Sequence, residues 1–427
     1  MQNPLQDVTL KIPIRYDAPF KFVDLAEAVD LQASARFQNE LKSLLDLKLE
    51  LIKSNDTDFY KDLYPESEMF IECKLSDINA LQVDGYTNYG ELYFMLETVN
   101  QNDMPFFLTQ MIVDHCFKSE IEKYSPDSFY KIENSENDDY YLVHEDERDL
   151  PVIANLLNKN YTEQLEVVLH YHVVFSDLID FDIKTAIMKH TLKLLNNVPN
   201  LFKLSIHFDS ITTDDLKQYT DDNNDEYDTT QLSELPVFRS IFQSMTLDDN
   251  SDKQHAHFIF YPLTPNDETF DKLVNTGLEM DPTSSNFLSI GEWGSVYFPL
   301  LNEFGNDGRY EINEKTIAEA FWRFDESLLD SIGVPVENLS LHVRMDSFKR
   351  YMTIQYLTKF SGLLYDLKRK LKSQSLSVWS MKRIAELFTE SLALREKVLK
   401  ALKNKETFEA LTTSEKMIDR IKLALTE

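Results

Sequence analysis

Glycine, proline and long hydrophobic runs are all scarce in this chain of 427 residues. Only 9 glycines and 14 prolines are present, while hydrophobic residues make up 43% and aromatic residues 12%. That balance excludes a disordered or low-complexity protein and supplies a sizeable core. No apolar run approaches the roughly 18 residues of a membrane span. The first residues, MQNPLQDVTLKIPI, show no signal-peptide pattern. We therefore expect a soluble chain.

Cysteine is also scarce, because Cys73 and Cys116 are the only two. In an oxidising compartment they could form one disulfide, and elsewhere they would be buried thiols. Two thiols are favoured, since a core of this size does not need a bridge.

Positive charge is lacking over most of the length. The net charge is −30, which opposes direct nucleic-acid binding, because phosphates need cationic partners. Residues 346–427 are the exception, with 17 Lys and Arg against 10 Asp and Glu, whereas the first 345 residues hold 26 basic and 63 acidic side chains. This difference in charge predicts that the two parts of the chain contact different surroundings in the cell.

Hydrophobic periodicity predicts mixed strands and helices over the first 150 residues. The predicted elements are strand 7–16, helix 24–53, strands 68–75 and 91–98, and helix 106–124, which Pro105 begins. Residues 133–149 (ENSENDDYYLVHEDERD) are predicted to form an acidic surface loop.

A strand-helix-strand pattern follows, typical of a βαβ unit. It comprises strand 165–176 (LEVVLHYHVVFS), helix 180–198 and strand 201–209. Beyond it we predict loop 214–228, strands 256–262 and 294–301, and helix 314–332 capped by Gly333.

From residue 346 the apolar spacing becomes helical throughout, with breaks at 373–377 and 403–406. This predicts two or three antiparallel helices with basic outer faces. The predicted fold class is α/β (α+β): a mixed β-sheet with flanking helices, followed by a C-terminal antiparallel helical segment. The predicted domains are 1–345, with a possible break into two lobes near 150–165, and 346–427.

Candidate chemistry centres on two histidine pairs. His170 and His172 share one strand face, as do His255 and His257, because side chains repeat every two residues along a strand. With a carboxylate such a pair could bind zinc. Histidines without a metal-binding role are favoured, because no third candidate ligand lies at a sequence spacing typical of a zinc site. We therefore predict no metal or cofactor. A metal-dependent hydrolase using these four histidines is the alternative.

Other catalytic signals are weak. His115 and Cys116 are adjacent on a predicted helix, so their side chains diverge by about 100° and do not form a dyad. Walker, GxGxxG, GxSxG and HExxH motifs are absent from the sequence. Three glycosylation sequons begin at Asn55, Asn160 and Asn338, about the number expected by chance.

Three segments together resemble the PIG-S family, a subunit of the GPI transamidase complex. They are the strand-helix-strand block at 165–210, the segment SSNFLSIGEWGSVYF at 284–298, and the helical run from SFKRYMTIQYLTKFSGLL to the chain end. Trp293, Gly294 and Ser295 match the family's turn-strand pattern, with Ser295 where many members carry a second glycine. The resemblance covers about 165–427 and is weaker before it.

The resemblance implies a non-catalytic structural subunit in the endoplasmic reticulum lumen, held in the full-length protein by a membrane helix at each end. Because this sequence has neither helix, we expect it to be the lumenal portion. Catalysis would belong to a cysteine-protease-like partner subunit, alongside other lumenal and membrane subunits. Trp293, Gly294 and Ser295 would then be structural, with no catalytic residue in this chain.

Overall fold

The computed structural model describes most of the predicted elements and falls into two compact units. The first unit comprises residues 1–163 and 333–427, and the second comprises residues 164–332. The described residues are 8–17, 21–36, 47–54, 71–75, 82–84, 90–94, 102–134, 139–159, 164–175, 179–180, 185–186, 189, 201–212, 254–262, 287–290, 294–299, 301, 309–312, 314–334, 341–374, 377–404 and 406–427. The fold is a mixture of strands and helices, as predicted.

The first unit contains a five-stranded sheet with the order β2-β1-β3-β5-β4. All neighbours are parallel except β4 and β5. Its strands are β1 (Val8–Asp17), β2 (Leu47–Ser54), β3 (Ile71–Leu75), β4 (Gln82–Asp84) and β5 (Gly90–Phe94).

Alternation along β1 creates one buried face, formed by Ile12, Ile14 and Tyr16. Helix α1 (Phe22–Arg36) connects β1 to β2. Its buried residues Leu25, Val29 and Ala33 recur every four positions and so form one apolar stripe.

The predicted helix 24–53 was wrong at its C-terminal end, because residues 47–54 form strand β2. Leu49 and Leu51 are buried, while Glu50 between them is exposed. The leucine-rich run suggested a helix, but its last residues alternate with a period of two. Parallel pairing with β1 provides hydrogen-bond partners for the backbone groups of β2 that point toward β1.

Helices and a two-stranded hairpin complete the N-terminal part of the first unit. They are α2 (Met104–Cys116, with Pro105 in its first turn), α3 (Lys118–Lys123), strands β6 (Phe129–Asn134) and β7 (Asp139–His144), α4 (Glu145–Asp149) and α5 (Pro151–Asn158).

The predicted acidic loop at 133–149 was therefore wrong. Strands β6 and β7 pair in antiparallel fashion, and Leu142 and His144 are buried. Two of the acidic side chains that follow form ion pairs: Asp146 lies 2.9 Å from the Lys123 ammonium, and Glu147 binds Lys359. Because their partners are distant in sequence, composition alone suggested a loop.

The second unit contains a sheet with the order β10-β8-β11-β13-β12, again parallel except for its last pair. In order along the chain, both sheets therefore have the strand order 2-1-3-5-4 with the same strand directions. The strands are β8 (Leu165–Phe175), β9 (Ile179–Asp180), β10 (Phe202–Thr212), β11 (Gln254–Phe260), β12 (Phe287–Ile290), β13 (Gly294–Tyr297) and β14 (Tyr310–Glu311), of which β9 and β14 pair separately.

Helix α6 (Glu314–Ser331) packs on one face of this second sheet. Phe324 lies 5.0 Å from Phe258 between ring centroids, and Phe321 lies 5.5 Å from Tyr171. Gly333 follows with φ of 81°, the left-handed conformation predicted for a C-terminal cap. The predicted loop 214–228 and most of helix 180–198 lie outside the described residues.

Three helices end the chain: α7 (Leu341–Ser373), α8 (Val378–Lys403) and α9 (Thr407–Thr426). Both predicted breaks are confirmed, and Ser377 caps α8 by accepting a hydrogen bond from the Ser380 amide at 3.0 Å. Among the described residues, no helix is both long and apolar enough to cross a bilayer. The division of the chain at residue 346 stays a prediction.

The basic side chains of α7 do not all face outward, contrary to prediction. Arg344, Lys349 and Arg350 are buried, and so are the described side chains around the whole circumference of α7 from 347 to 358. This segment of α7 is therefore a core segment rather than an amphipathic surface helix.

Polar contacts join α7 to the N-terminal half of the first unit. The Tyr351 hydroxyl donates to Asp146, and the Lys359 ammonium binds Glu147. The Tyr356 hydroxyl donates to the Leu156 carbonyl at 3.2 Å. The C-terminal helices are therefore part of the same folded unit as β7, α4 and α5.

Candidate functional site

Five of the nine histidines lie on one face of the second sheet, on the adjacent strands β10, β8 and β11. His207, His170 and His257 are in register and form a row across the three strands. His172 lies two residues beyond His170, and His255 lies two residues before His257, so both share that face.

Parallel pairing explains why the two sequence pairs converge. Residues in register on neighbouring strands project to the same side of a sheet. Once β8 and β11 pair with His170 opposite His257, the pair on each strand must face the pair on the other. The opposite face holds Tyr171 and Phe258, which pack together at 5.2 Å between ring centroids.

Hydrogen bonds and ring stacking hold the imidazoles together. His170 Nε2 lies 3.0 Å from His255 Nδ1, and His172 Nε2 lies 3.0 Å from His257 Nδ1. The His170 and His257 rings stack at 4.3 Å between centroids, and His207 stacks on His170 at 5.3 Å.

Burial differs along this face. His172 and His257 are buried, His170 and His255 are half-buried, and His207 is exposed. Burial, followed by the neighbouring His170, His172 and His255, lowers the pKa of His257 to about 2. At neutral pH this imidazole is therefore uncharged, the form that accepts hydrogen bonds and binds metals.

The cluster can offer three nitrogen ligands. One ring nitrogen each of His170, His172 and His257 lie within 4.8 Å of one another. The sequence predicted each pair separately and favoured ordinary histidines. It missed His207 altogether, although His207 falls inside the predicted strand 201–209. Its position beside His170 depends on the parallel pairing of β10 with β8, and on the register that sets His207 opposite His170.

The other predicted site residues are only partly described. Asn55, Asn160, Asn338 and Trp293 lie outside the described residues, so the sequons stay predictions. Gly294 begins β13 and continues the histidine row, because it is in register with His257. Ser295 is buried on the opposite face with Phe258.

The two cysteines are described only in their backbones. Cys73 lies in β3, and Cys116 is the last residue of α2. Their side chains, and that of His115, lie outside the described residues, so the state of the two thiols stays a prediction.

Comparison with known proteins gives a consistent result. The family model for PIG-S, described as phosphatidylinositol-glycan biosynthesis class S protein, matches residues 1–424. The chain is also similar to the GPI transamidase component GPI17 of Saccharomyces cerevisiae, with 22% identity over 420 residues, covering 94% of this chain and 71% of the yeast protein. Because the family model spans nearly the whole sequence, including the N-terminal 164 residues where the resemblance was weaker, this chain belongs to the PIG-S family.

Proposed function

We propose that this chain is a non-catalytic structural subunit of the GPI transamidase, which attaches GPI anchors to protein C-termini in the endoplasmic reticulum. The observation that carries this function is the family match over residues 1–424. The similarity to a yeast protein named as a GPI transamidase component supports it. The alternative of a metal-dependent hydrolase finds no support in these comparisons.

Depletion in the native host tests the function. Loss of the full-length protein should abolish surface display of GPI-anchored proteins, and re-expression should restore it. Affinity purification of the tagged full-length protein should recover the other subunits, including a cysteine-protease-like one that carries out catalysis. Normal GPI anchoring after complete depletion would contradict the proposal.

We further propose a lumenal location. The three sequons at Asn55, Asn160 and Asn338 are compatible with it, since N-glycans are added inside the secretory pathway. Endoglycosidase H should increase the gel mobility of the native protein, and replacing all three asparagines by glutamine should remove that shift. Independently of glycan occupancy, protease protection in sealed microsomes should be lost on adding detergent. Digestion without detergent would contradict a lumenal location.

The helical tip, formed by residues 368–374 and 377–383, is proposed to face the membrane surface. Four apolar side chains are exposed there, with exposed fractions of 39% for Leu371, 89% for Val378, 70% for Trp379 and 47% for Met381. Six basic residues surround them: Lys368, Arg369, Lys370, Lys372, Lys382 and Arg383. Tryptophan beside aliphatic side chains and long cationic side chains is typical of segments at a membrane–water interface.

Charge reversal can test this orientation if the basic residues are chosen by their contacts. Lys370 should be kept, because its ammonium donates to the Leu425 carbonyl at 2.7 Å and so holds α7 against α9. Reversal of the exposed Arg369, Lys372 and Lys382 to glutamate should reduce binding of the isolated chain to vesicles containing anionic lipid.

Reversal of Lys397, Lys400 and Lys403 is the matched control, because it changes equal charge on exposed positions of α8 away from the tip. Equal loss of vesicle binding in both triple variants would show non-specific attraction and contradict the orientation. Loss of subunit recovery without loss of vesicle binding would identify the tip as a protein contact instead.

A further inference from the structure

We propose that His170, His172 and His257 form a binding site for a divalent transition-metal ion, Zn²⁺ being the best fit. This site is additional to the proposed structural role and does not depend on it. The geometry carries the proposal: three side chains from two paired strands bring ring nitrogens within 4.8 Å of one another on one sheet face.

The separation of these nitrogens is close to what zinc needs. Tetrahedral zinc with bonds of about 2.0–2.1 Å to imidazole sets its nitrogen ligands roughly 3.4 Å apart. His172 Nε2 and His257 Nδ1 already lie 3.0 Å apart. Small side-chain rotations would bring the three nitrogens around one ion, because the register of β8 and β11 already fixes the backbone positions.

The ligand set selects the class of metal. Neutral imidazoles favour zinc, copper and nickel, whereas magnesium and calcium prefer oxygen ligands. Two of the three side chains, His172 and His257, are buried. Metal binding would therefore replace the hydrogen bond between their rings, not bonds from exposed imidazoles to water. Three protein ligands leave a fourth position for water or another group.

His255 would orient this site from outside the ligand set. Its Nδ1 lies 3.0 Å from His170 Nε2, and metal-bound imidazoles commonly hydrogen bond through their second nitrogen. His207 stacks on His170 but is exposed and lies outside the three-ligand group. It therefore supplies a matched control within the same cluster.

Metal uptake by the untagged chain tests the proposal directly. Protein stripped with a chelator and then dialysed against Zn²⁺ should hold one ion per chain by elemental analysis, and its melting temperature should rise with Zn²⁺ concentration. Co²⁺ should give the absorption bands of a tetrahedral site with nitrogen ligands. Mg²⁺ should give neither effect.

Substitutions should give a graded response in a competition assay with a chromophoric chelator. Replacing His255 by alanine should weaken Zn²⁺ binding by roughly 10- to 100-fold, the usual effect of losing an outer hydrogen-bond partner. His172→Gln or His257→Gln should weaken it further, and His207→Gln should leave the affinity unchanged. Circular dichroism of each metal-free variant separates ligand loss from misfolding.

Two results would overturn the site. One is failure of the stripped wild-type chain to take up Zn²⁺, Ni²⁺ or Cu²⁺ at micromolar concentrations. The other is Zn²⁺ affinity in the double variant His172→Gln, His257→Gln equal to that of the wild type. In either case the histidines would form only a hydrogen-bonded, stacked cluster within the sheet.

Discussion

The carboxyl group of Glu415 in α9 lies in a partly buried position that disfavours its charged form. Burial is the main cause that raises its pKa from 4.5 to about 7, and the nearby Asp419 adds to the shift while Lys159 and Lys416 oppose it. The unfolded chain loses this proton near pH 4.5 and the folded chain only near pH 7. Stability from this group therefore falls as pH rises through that window.

Replacement of Glu415 by glutamine should stabilise the chain above pH 7. The expected gain at pH 8 is about 1–2 kcal/mol, less than the full pKa shift implies, because the side chain is partly exposed. Chemical denaturation at pH 8 and pH 4.5 measures it, and the gain should vanish at the lower pH. Glu396→Gln, at an exposed position of α8, should change stability little. No gain at pH 8 would contradict this account.

His144 shows the opposite pH behaviour. The buried ring accepts a hydrogen bond from the Asp146 amide at 3.0 Å through Nδ1, and its Nε2 contacts the Lys123 carbonyl. Both contacts fit a neutral imidazole protonated on Nε2. Burial is the leading cause that lowers the pKa of His144 below 6.5. The unfolded chain therefore binds a proton first as the pH falls, and stability declines below about pH 6.5.

The destabilisation caused by His144→Gln should consequently be greatest near pH 7.5 and shrink toward pH 5. Denaturation of both proteins at several pH values measures the difference in unfolding free energy. The exposed His207 supplies a control for loss of an imidazole, since His207→Gln should change the free energy of unfolding little at pH 7.5. A difference that stays constant with pH would mean that His144 acts only through packing.

At the scale of elements, the end of α5 depends on a side chain from α9. The Lys422 ammonium donates to the carbonyls of Leu157, Asn158 and Lys159, at 3.4, 2.8 and 2.8 Å. The last carbonyls of a helix are not bonded by amides of the helix itself, and a cation near them also interacts favourably with the helix dipole.

Lys422→Met removes the cation and keeps most of the apolar stem. We expect a loss of about 1–3 kcal/mol, typical of hydrogen bonds from a charged donor. Hydrogen exchange should show that amides of α5 open more readily in the variant. Lys397→Met in α8 is exposed and serves as control; an equal effect there would contradict the capping role.

The C-terminal end of α6 depends on a glycine. Gly333 has φ of 81°, and an added Cβ would lie 3.2 Å from Ile153 Cδ1. Gly333→Ala should cost about 1–2 kcal/mol, mainly from backbone strain. A melting temperature equal to that of the wild type would show that the backbone relaxes without cost.

At the scale of the whole molecule, the chain repeats one topology. Both sheets have strand order 2-1-3-5-4 with an antiparallel last pair. The sequence showed no repeat, because this topology needs only a matching order of apolar strands, not matching residues. The first unit is also discontinuous, since residues 333–427 return to pack with residues 1–163.

The C-terminal helices should therefore not fold by themselves. A fragment of residues 341–427 would expose side chains of α7 that contact residues 1–163, including Tyr351, whose ring stacks on Tyr124, and Tyr356, whose hydroxyl binds the Leu156 carbonyl. We expect low, non-cooperative helicity or aggregation by circular dichroism and ultracentrifugation. A monomeric, cooperatively unfolding fragment would instead support an autonomous domain beginning near residue 346.

The sequence by itself determined the features that depend on short-range pattern. The alternation in β1, the apolar run of β8, the two breaks between the last three helices and the Gly333 cap were all predictable from the sequence, because each depends on residues close together in the chain. The family was also recognisable, since its three segments lie in a fixed order. The difference in net charge between residues 1–345 and residues 346–427 followed from counting the charged side chains.

Only the tertiary structure decided what depends on long-range pairing. Residues 47–54 form a strand because β1 is beside them, and Tyr351 and Lys359 of α7 are paired because the fold brings Asp146 and Glu147 to them. The histidines form one cluster because β8 and β11 pair in one register, and a shift by one residue would place the pairs on opposite faces. Strand register is set by contacts distant in sequence, so periodicity within one strand could not predict it.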